Sequence, residues 1–464
     1  MRKHWRLVAL GLLMAVLAIG AVACDDDEDD GDAGETPGAT EEPGDGASVD
    51  VLGIWGDEEL TSWEAMVAPW ETDTGNSMAF TGQRGVGALI TTRVEGGNPP
   101  DVAIPAEMGL FQELARSGDL VPLSSCAAPQ PMASSTGLQD GTLEDYVRAN
   151  YPPAFIDLGT VDGTLYGFFM KADGKGTIWY NPGFFADNTL EPLTADSTFD
   201  DLLALSQQIL DGGTAPWSIG VESDVDSGWP GTDWVQAILI NNVEGGVEAN
   251  DGLIDGSVPA TDPRFKEAWE RFGEIALADG WTSQGSADGI NATNFVDAIY
   301  PPFEESPAAA LHHQAGFAAG EITAQFPDAV PGESFDFFPW PGGAVIGSAN
   351  VVFAFNSDEA TCSFLSWIVT SEAQQIWVER GGFTSANTAL SLDTYPDAVT
   401  QNAAERLTQA ETFRFDLDDT IGGQFQRAFF AGVTEYLADP GSLDSILAEI
   451  DAAYGQPVEE EPAE

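Results

Sequence analysis

The alternation of strand and helix patterns in residues 51–123 constrains the fold more than any other feature of the chain. Residues 51–55 form a short apolar run that ends in polar residues, which is typical of a buried strand. Apolar residues then recur at three- and four-residue steps from Leu60 to Trp70, which predicts an amphipathic helix. The alternation continues with a strand at 78–80, a helix at 87–94, a strand at 101–104 and a helix at 107–117. This order predicts a mostly parallel sheet flanked by helices.

The turn at residues 96–101, Gly-Gly-Asn-Pro-Pro-Asp, ends the second predicted helix and begins the third strand. Proline fixes φ and glycine adopts backbone angles that other residues avoid, so this stretch cannot continue a helix. Ligands of parallel sheets bind beyond the carboxyl ends of the strands. Those ends are predicted at residues 55–58, 81–84 and 105–107. A binding site is therefore expected along this edge.

The charge balance excludes one class of partner. The chain has 76 acidic and 16 basic residues and a net charge of −60, so it cannot neutralise the phosphates of a nucleic acid. Such acidity keeps a surface solvated, and it also suits a saline habitat, where salt screens the repulsion between like charges. We hold the saline habitat as a hypothesis. A length of 464 residues is too great for one hydrophobic core and predicts two lobes.

The two ends of the chain lie outside the predicted lobes. Residues 1–23 combine a basic start, an apolar stretch and small residues, which is typical of an export signal rather than a spanning helix. The sequence Ala-Val-Ala-Cys that ends at Cys24 resembles the lipobox of bacterial lipoproteins, which implies a lipid on Cys24; ordinary cleavage before an incidental cysteine is the alternative. The acidic composition of residues 24–48, almost without apolar side chains, predicts a disordered tether, and residues 456–464 are predicted to be a disordered tail.

The cysteines predict no metal centre. Once Cys24 is used at the N-terminus, Cys126 and Cys362 either form one disulfide, as an exported chain allows, or remain two buried thiols. Cysteine and histidine do not occur at metal-ligand spacing. The glycine-rich stretch at 171–176 lacks the phosphate-binding Walker spacing. We therefore expect neither a metal nor a cofactor.

Several short stretches carry a resemblance to a known family. They include Thr-Thr-Arg-Val-Glu-Gly-Gly-Asn-Pro-Pro-Asp-Val-Ala and Trp-Tyr-Asn-Pro, and they lie at residues 91–103, 179–182, 227–234, 380–387 and 413–416. Together with the order of elements over residues 49–455, they resemble the extracellular solute-binding proteins of ABC importers. The resemblance is to the carbohydrate-binding group that includes maltose-binding and alpha-glucoside-binding proteins.

The resemblance implies an α/β fold of two lobes joined by hinge crossings, the type II, maltose-binding-protein-like form of the periplasmic-binding-protein fold. The N-terminal lobe would hold residues 50–169 plus 340–358, and the C-terminal lobe residues 170–339 plus 359–455. The family implies a monomer without chemistry of its own, which captures a sugar or oligosaccharide between its lobes and delivers it to ABC permease subunits. A lipid on Cys24 would be its only link to the outer face of the membrane.

Candidate ligand-binding residues follow from what a sugar site needs, namely aromatic platforms beside planar hydrogen-bonding groups. Trp55 ends the first strand and Glu58 follows it; the alternatives are a core tryptophan and a solvated acid. Arg84 follows the second strand and can clamp a ligand, or else pair with an acid of the protein. Glu107 follows the third strand, where it contacts ligand or only complements the N-terminus of a helix.

The second set of candidates lies near the predicted hinge. Lys171, Asp173 and Lys175 are placed on a glycine-rich loop at the first crossing, which favours a role in the cleft. Trp229 and Asp233 are placed in a loop, where a large aromatic ring has no strand or helix to bury it. We expect Trp229 to stack on a sugar ring, and a lid packed on its own lobe is the alternative.

The last candidates have weaker signals. His313 and Gln314 follow a short predicted strand, so they face the cleft or serve a structural hydrogen bond. Gly382 and Phe383 form a tight turn after a helix, where the backbone approaches a ligand or merely caps the helix.

Two rival functions stay open at this point. A secreted glycoside hydrolase needs only a pair of carboxylates, and so many acidic residues always supply one. A receptor for a cationic ligand such as a polyamine would use the negative charge, although the basic residues expected near the cleft argue against it.

Overall fold

The computed structural model describes residues 46–83, 85–129 and 141–456, all of them within the compact unit Gly44–Glu464. The predictions on the export signal, on Cys24 and on Arg84 lie outside these residues, as do those on nearly all of the tether and tail. The backbone of Glu58 lies in the first turn of a helix, and its side chain is likewise not described. Among the helices in the described ranges, none has the length and apolar character to cross a membrane.

The strands form two main sheets and one small hairpin. In chain order they are β1 Ser48–Gly53, β2 Ser77–Gly82, β3 Val102–Ile104, β4 Thr160–Val161, β5 Thr164–Leu165, β6 Gly167–Lys175, β7 Thr177–Tyr180, β8 Ala215–Ser218, β9 Ala309–Gln314, β10 Asp336–Pro339, β11 Val345–Ala354, β12 Thr384–Ser385 and β13 Phe413–Phe415. The larger, seven-stranded sheet has the order β12-β6-β11-β3-β1-β2, with β13 beside β11. The four-stranded sheet has the order β10-β7-β9-β8.

Helices cover the faces of both sheets. They are α1 Asp57–Thr74, α2 Val86–Glu95, α3 Met108–Ser117, α4 Leu143–Asn150, α5 Pro153–Leu158, α6 Pro182–Asp187, α7 Phe199–Asp211, α8 Trp229–Asn242, α9 Gly246–Asp255, α10 Pro263–Ala276, α11 Ala287–Ala292, α12 Ala318–Gln325, α13 Glu359–Ile368, α14 Ser371–Val378, α15 Ala398–Gln409, α16 Leu417–Ile421, α17 Gly423–Ala438 and α18 Leu443–Ala453. Short 3₁₀ turns lie at Leu123–Ser125, Asp224–Asp226, Asp297–Ile299, Pro301–Phe303, Leu392–Thr394 and Pro440–Ser442.

The alternation predicted for residues 51–123 is confirmed. β1 lies between β2 and β3 and is parallel to both, with Val51 opposite Phe80 on one side and Val102 on the other. The turn before β3 contains Gly97 with a φ of 70°, a value that favours glycine. The carboxyl ends of these three strands therefore lie along one edge of the sheet, as predicted.

Each main sheet has its own hydrophobic core, and the chain passes between them at three crossings. β6 of the larger sheet leads through Gly176 into β7 of the smaller one, and β10 leads back into β11. The third crossing follows β13 at Asp416 and enters α16, whose Leu417 packs in the second core. β11 joins both cores, because Ile346 packs in the second core while Val351 and its neighbours pack in the first.

Four local predictions differ from the structure. His313 and Gln314 were predicted to follow a short strand, but they are the last two residues of β9. The stretch at 171–176 was predicted as a loop, but most of it is β6, which pairs with β11 and β12. Residues 229–234 were also predicted as a loop, but they are the first turns of α8. Helices α13 and α14 pack in the first core, whereas the predicted lobe boundaries assign residues 359–378 to the second lobe.

Cys126 and Cys362 form a disulfide with a Cα–Cα distance of 5.2 Å. Cys126 precedes α4, and Cys362 lies in the first turn of α13. Of the two possibilities left open by the sequence, the structure therefore contains the bridge. It closes a loop that includes the whole of the second sheet.

Candidate functional site

A small cavity lies along β6, where the two sheets approach each other. Its lining includes Lys171, Asp173, Phe317, Gly382 and Phe383, so it brings together four of the residues predicted from the sequence. The cavity volume is about 30 Å³. This is room for about one water molecule, far below the 300 Å³ or more of a typical ligand pocket. A sugar can therefore enter only if the lining elements separate.

The polar side chains of this cavity connect the two sheets. Lys171 forms an ion pair with Glu59 of α1. Asp173 accepts hydrogen bonds from the backbone N–H groups of Gly316, at 2.7 Å, and Phe317, at 3.1 Å. Burial raises the pKa of Asp173, and the nearby charge of Lys171 opposes this shift. A strand of the larger sheet thus holds the loop that follows β9 of the smaller sheet.

Beside the cavity lies an aromatic group made by Trp229, Phe295 and Phe317. The half-buried ring of Trp229 lies 5.0 Å from that of Phe295 and 6.5 Å from that of Phe317, between centroids. Trp229 is the first residue of α8, and Gly228 before it has a φ of 114°. A Cβ on Gly228 would lie 2.1 Å from the carbonyl oxygen of Phe430, so only glycine allows this start of the helix.

A buried lysine lies under the aromatic group. The Nζ of Lys175 is 2.8 Å from Oδ1 of Asp233, forms a second ion pair with Asp416, and is 5.2 Å from the centroid of the Trp229 ring. Burial alone would lower the pKa of Lys175, but the two carboxylates hold it well above its usual value. Asp233 was predicted to contact ligand, and the structure places it in this ion pair instead.

Carboxylates from both sides meet near the third crossing. Burial raises the pKa of Glu107, which follows β3, and the charge of Asp226 adds to the shift. Burial, the charge of Asp416 and that of Glu107 raise the pKa of Asp419 well above its usual value. The helix that follows Glu107 and the helix that carries Asp419 are in contact, because a Cβ on Gly109 would lie 3.1 Å from the carbonyl oxygen of Ile421. Such carboxylates can accept hydrogen bonds from ligand hydroxyls.

Among the described residues, Asp416, Asp418 and Asp419 could together hold a metal ion, since their nearest oxygen atoms lie within 4.8 Å of one another. Each of these carboxylates already has a partner in the protein, so a metal ion is not required to satisfy them. Asp416 pairs with Lys175, Asp418 accepts from Thr232, and Gln426 donates to Asp419 at 2.9 Å. Sequence reasoning missed these acids as site residues. The available signal was the run Asp-Leu-Asp-Asp at residues 416–419, which begins at the last residue of the family-like stretch at 413–416.

Trp55 was proposed as a ligand contact, and the structure corrects this prediction. Its side chain is fully buried in the first core, 4.9 Å from the rings of both Trp63 and Trp377. The residue lies just after β1, and its side chain turns toward α1 and α14 rather than toward the edge of the sheet. Its aromatic face is therefore not available to a ligand in this conformation.

His313, Gln314 and Phe383 are also structural here. His313 is buried between Trp234 and Trp340, with ring centroids 4.8 Å and 5.0 Å away. The side chain of Gln314 accepts a hydrogen bond from the N–H of Ala315 at 2.9 Å. Phe383 lines the cavity but packs in the first core, whereas the exposed Gly382, with a φ of 71°, leaves its backbone accessible.

Comparison with solved structures identifies the fold. A chitin oligosaccharide binding protein superposes with a TM-score of 0.70 at 17% identity, covering 88% of this chain and 99% of that one. A maltose-bound MalE3 protein of T. maritima superposes with a TM-score of 0.65 at 14% identity, covering 88% and 98%. The chain therefore has the two-lobe, type II periplasmic-binding fold, and the predicted fold class is confirmed.

Sequence comparison then gives the family. Residues 65–407 match the profile described as bacterial extracellular solute-binding protein, and the chain belongs to that family. It is 30% identical to the osmoprotective compounds-binding protein GgtB of Synechocystis sp. over 396 residues, 84% of this chain and 88% of that protein. It is 29% identical to the alpha-glucosides-binding periplasmic protein AglE of Rhizobium meliloti over 414 residues, 86% and 85% of the two chains. These relatives are binding proteins, so the chain is not an enzyme, and the glycoside hydrolase alternative is set aside.

Proposed function

We propose that this protein is the receptor of an ABC importer for a neutral sugar or short oligosaccharide, of the glucoside type. The observation that carries the proposal is the aromatic group of Trp229, Phe295 and Phe317 beside carboxylates from both sides of the cleft. A sugar offers apolar ring faces for stacking and hydroxyls that donate to carboxylates, so it matches both parts of the site.

The mechanism follows from where these groups lie. Glu107 follows a strand of the larger sheet, whereas Trp229 lies on a helix of the second core and Asp419 on the helix after the third crossing. A ligand that touches all three makes its full set of contacts only when the two sides are close together. That difference in contacts shifts the equilibrium toward the closed form. In this proposal the closed, loaded form is what the permease subunits recognise.

The names of the relatives support the ligand class. One relative binds alpha-glucosides and another binds osmoprotective compounds, and the solved structure of similar fold binds a chitin oligosaccharide. We therefore propose a small glucoside as the first ligand to test. Glu58, Arg84 and Gly382 remain proposed ligand contacts.

A thermal-shift screen followed by calorimetry tests the function. The screen would compare methyl alpha-glucoside, maltose, trehalose and glycerol glucoside with spermidine and glycine betaine. A ligand present at a hundred times its Kd stabilises the folded protein by about 2.7 kcal/mol, which such a screen detects. Stabilisation by spermidine alone would favour the cationic alternative and contradict the proposal.

A pair of matched variants locates the site. Trp229→Leu removes the proposed stacking surface and should weaken sugar binding about two- to tenfold, since aromatic contacts contribute about 0.5 to 1.5 kcal/mol. Trp281→Leu makes the same substitution at a partly buried tryptophan that packs against the second core and does not line the cavity. Equal affinity of the two variants for sugar would contradict the proposed site.

We also propose that Cys24 carries a lipid that holds the protein at the outer face of the membrane. The support is the sequence alone, namely the small residues before Cys24 at the end of the export signal. Cys24→Ser should release the protein from membranes and abolish labelling by a radioactive fatty acid. A variant that stays in the membrane fraction would contradict the anchor.

A further inference from the structure

One face of α8 contacts the third crossing through the side chains of Thr232 and Gln236. Trp229, Thr232, Asp233 and Gln236 have the spacing i, i+3, i+4 and i+7, so they share this face. Gln236 donates to the carbonyl of residue 415 at 3.0 Å and accepts from the N–H of residue 417 at 3.0 Å. Thr232 donates to the carboxylate of residue 418. The helix that carries the aromatic ring is thus attached directly to the segment where the chain passes between the cores.

Lys175 connects this helix face to the first crossing. It is the last residue of β6 and precedes Gly176, whose φ of 78° turns the chain into β7. Its ammonium group contacts Asp233 on α8, Asp416 at the third crossing and the ring of Trp229. Only 8% of the residue is exposed, so no bulk solvent screens these contacts. A single cation therefore joins two crossings and the aromatic platform.

We propose that Lys175 is a positioning residue for ligand capture: it fixes the orientation of Trp229 relative to the crossings, so that stacking of a ligand on this ring depends on the arrangement of the hinge. The proposal rests on the proposed function, because it concerns the same binding site. Lys175 need not touch the ligand itself. Without the ammonium group, the carboxylates of Asp233 and Asp416 would face each other without a counter-charge and would repel the start of α8 from the crossing.

The first test needs no ligand. The full chain is labelled with 5-fluorotryptophan, and the ¹⁹F resonance of Trp229 is assigned as the one missing in Trp229→Phe. Lys175→Met should move this resonance, whereas Lys266→Met, the same change at a half-exposed surface lysine paired with Asp444, should leave it in place. An unmoved Trp229 resonance in a folded Lys175→Met protein overturns the proposal, whatever ligand the protein binds.

A variant that removes the lysine together with its two partners separates positioning from stability. Lys175→Met/Asp233→Asn/Asp416→Asn removes the cation and the two carboxylates that contact it, so neither Asp233 nor Asp416 is left as a carboxylate without its partner. We expect this triple variant to fold, to keep the shifted Trp229 resonance, and to bind the sugar at least tenfold more weakly than the unmodified protein. Wild-type affinity in the triple variant overturns the proposal, because it would show that Lys175 only balances charge.

The two proposals fail in distinguishable ways. If the unmodified protein binds none of the sugars in the thermal-shift screen, the proposed function fails, and the ¹⁹F experiment on the free protein still decides the role of Lys175. If the unmodified protein binds a sugar and the Lys175 variants bind it equally well, the proposed function stands and the positioning role is refuted.

Discussion

Removal of the Cys126–Cys362 disulfide should cost this protein much of its stability. The cysteines are separated by 236 residues, and the bridge limits the unfolded chain over that whole length. For a loop of this length the chain-entropy relation gives about 5 kcal/mol at 25 °C, while measured disulfides contribute about 2 to 4 kcal/mol. We therefore expect Cys126→Ala/Cys362→Ala to lower the free energy of unfolding by about 2 to 5 kcal/mol.

Urea unfolding followed by tryptophan fluorescence measures this loss, and it avoids guanidinium because that denaturant is also a salt. The dependence of the free energy on urea should become steeper in the variant, because an unbridged unfolded chain exposes more surface. The unmodified protein treated with a reducing agent is the matched control and should give the same curve as the double variant. A loss below about 1 kcal/mol with an unchanged slope would refute the reasoning.

Three further predictions concern charge. Burial raises the pKa of Glu107, so ionisation of this carboxyl opposes folding once the pH exceeds its usual pKa of 4.5. Glu107→Gln should therefore raise the melting temperature at pH 7.5, and this gain over the unmodified protein should vanish toward pH 4. The same variant should bind sugar more weakly. Burial lowers the pKa of His312 to about 4, so the stability contributed by the neutral ring should be lost as the pH falls from 6.5 toward 4. In the same assay, the melting temperature of His312→Asn should fall less steeply with decreasing pH. With a net charge of −60, the melting temperature should rise between low and molar salt, and a flat dependence would contradict the saline-habitat hypothesis.

Local sequence patterns were sufficient to predict the fold of the first part of the larger sheet and its helices. Strands and helices in residues 51–123 have regular apolar spacing and clear stop signals, so their order and parallel pairing followed directly. The secondary structure of the stretch at 171–176 was harder to predict, because glycine and polar residues are typical of loops. Strand β6 is stabilised there by its neighbours β11 and β12, which come from positions about two hundred residues further along the chain.

The site was only partly predictable for a related reason. Lys171, Asp173, Gly382 and Phe383 were each chosen from local context, and tertiary contacts brought them to one cavity. Trp55 has the same local signal as a cleft tryptophan, but Trp377, on a helix far away in the sequence, covers its face. No local pattern identifies which buried aromatic ring will meet such a partner.

The ion pairs of Lys175 show most clearly which contacts a sequence pattern cannot predict. Its partners, Asp233 and Asp416, lie 58 and 241 residues away. In a chain with 76 acidic residues, the sequence cannot indicate which of them will pair with a given lysine. The spacing of Trp229 and Asp233 does indicate one face of a helix, once α8 is known to begin at Trp229.

The sharing of β11 between the two cores has a practical consequence for dissecting this protein. A strand that carries Ile346 in one core and Val351 in the other cannot be assigned to a single excisable fragment. Each lobe is also assembled from separated stretches of chain, so cutting the gene at any one point leaves both halves incomplete. Expression of either half alone should yield an aggregating polypeptide, and inserting a reporter domain should succeed only in surface turns away from the crossings.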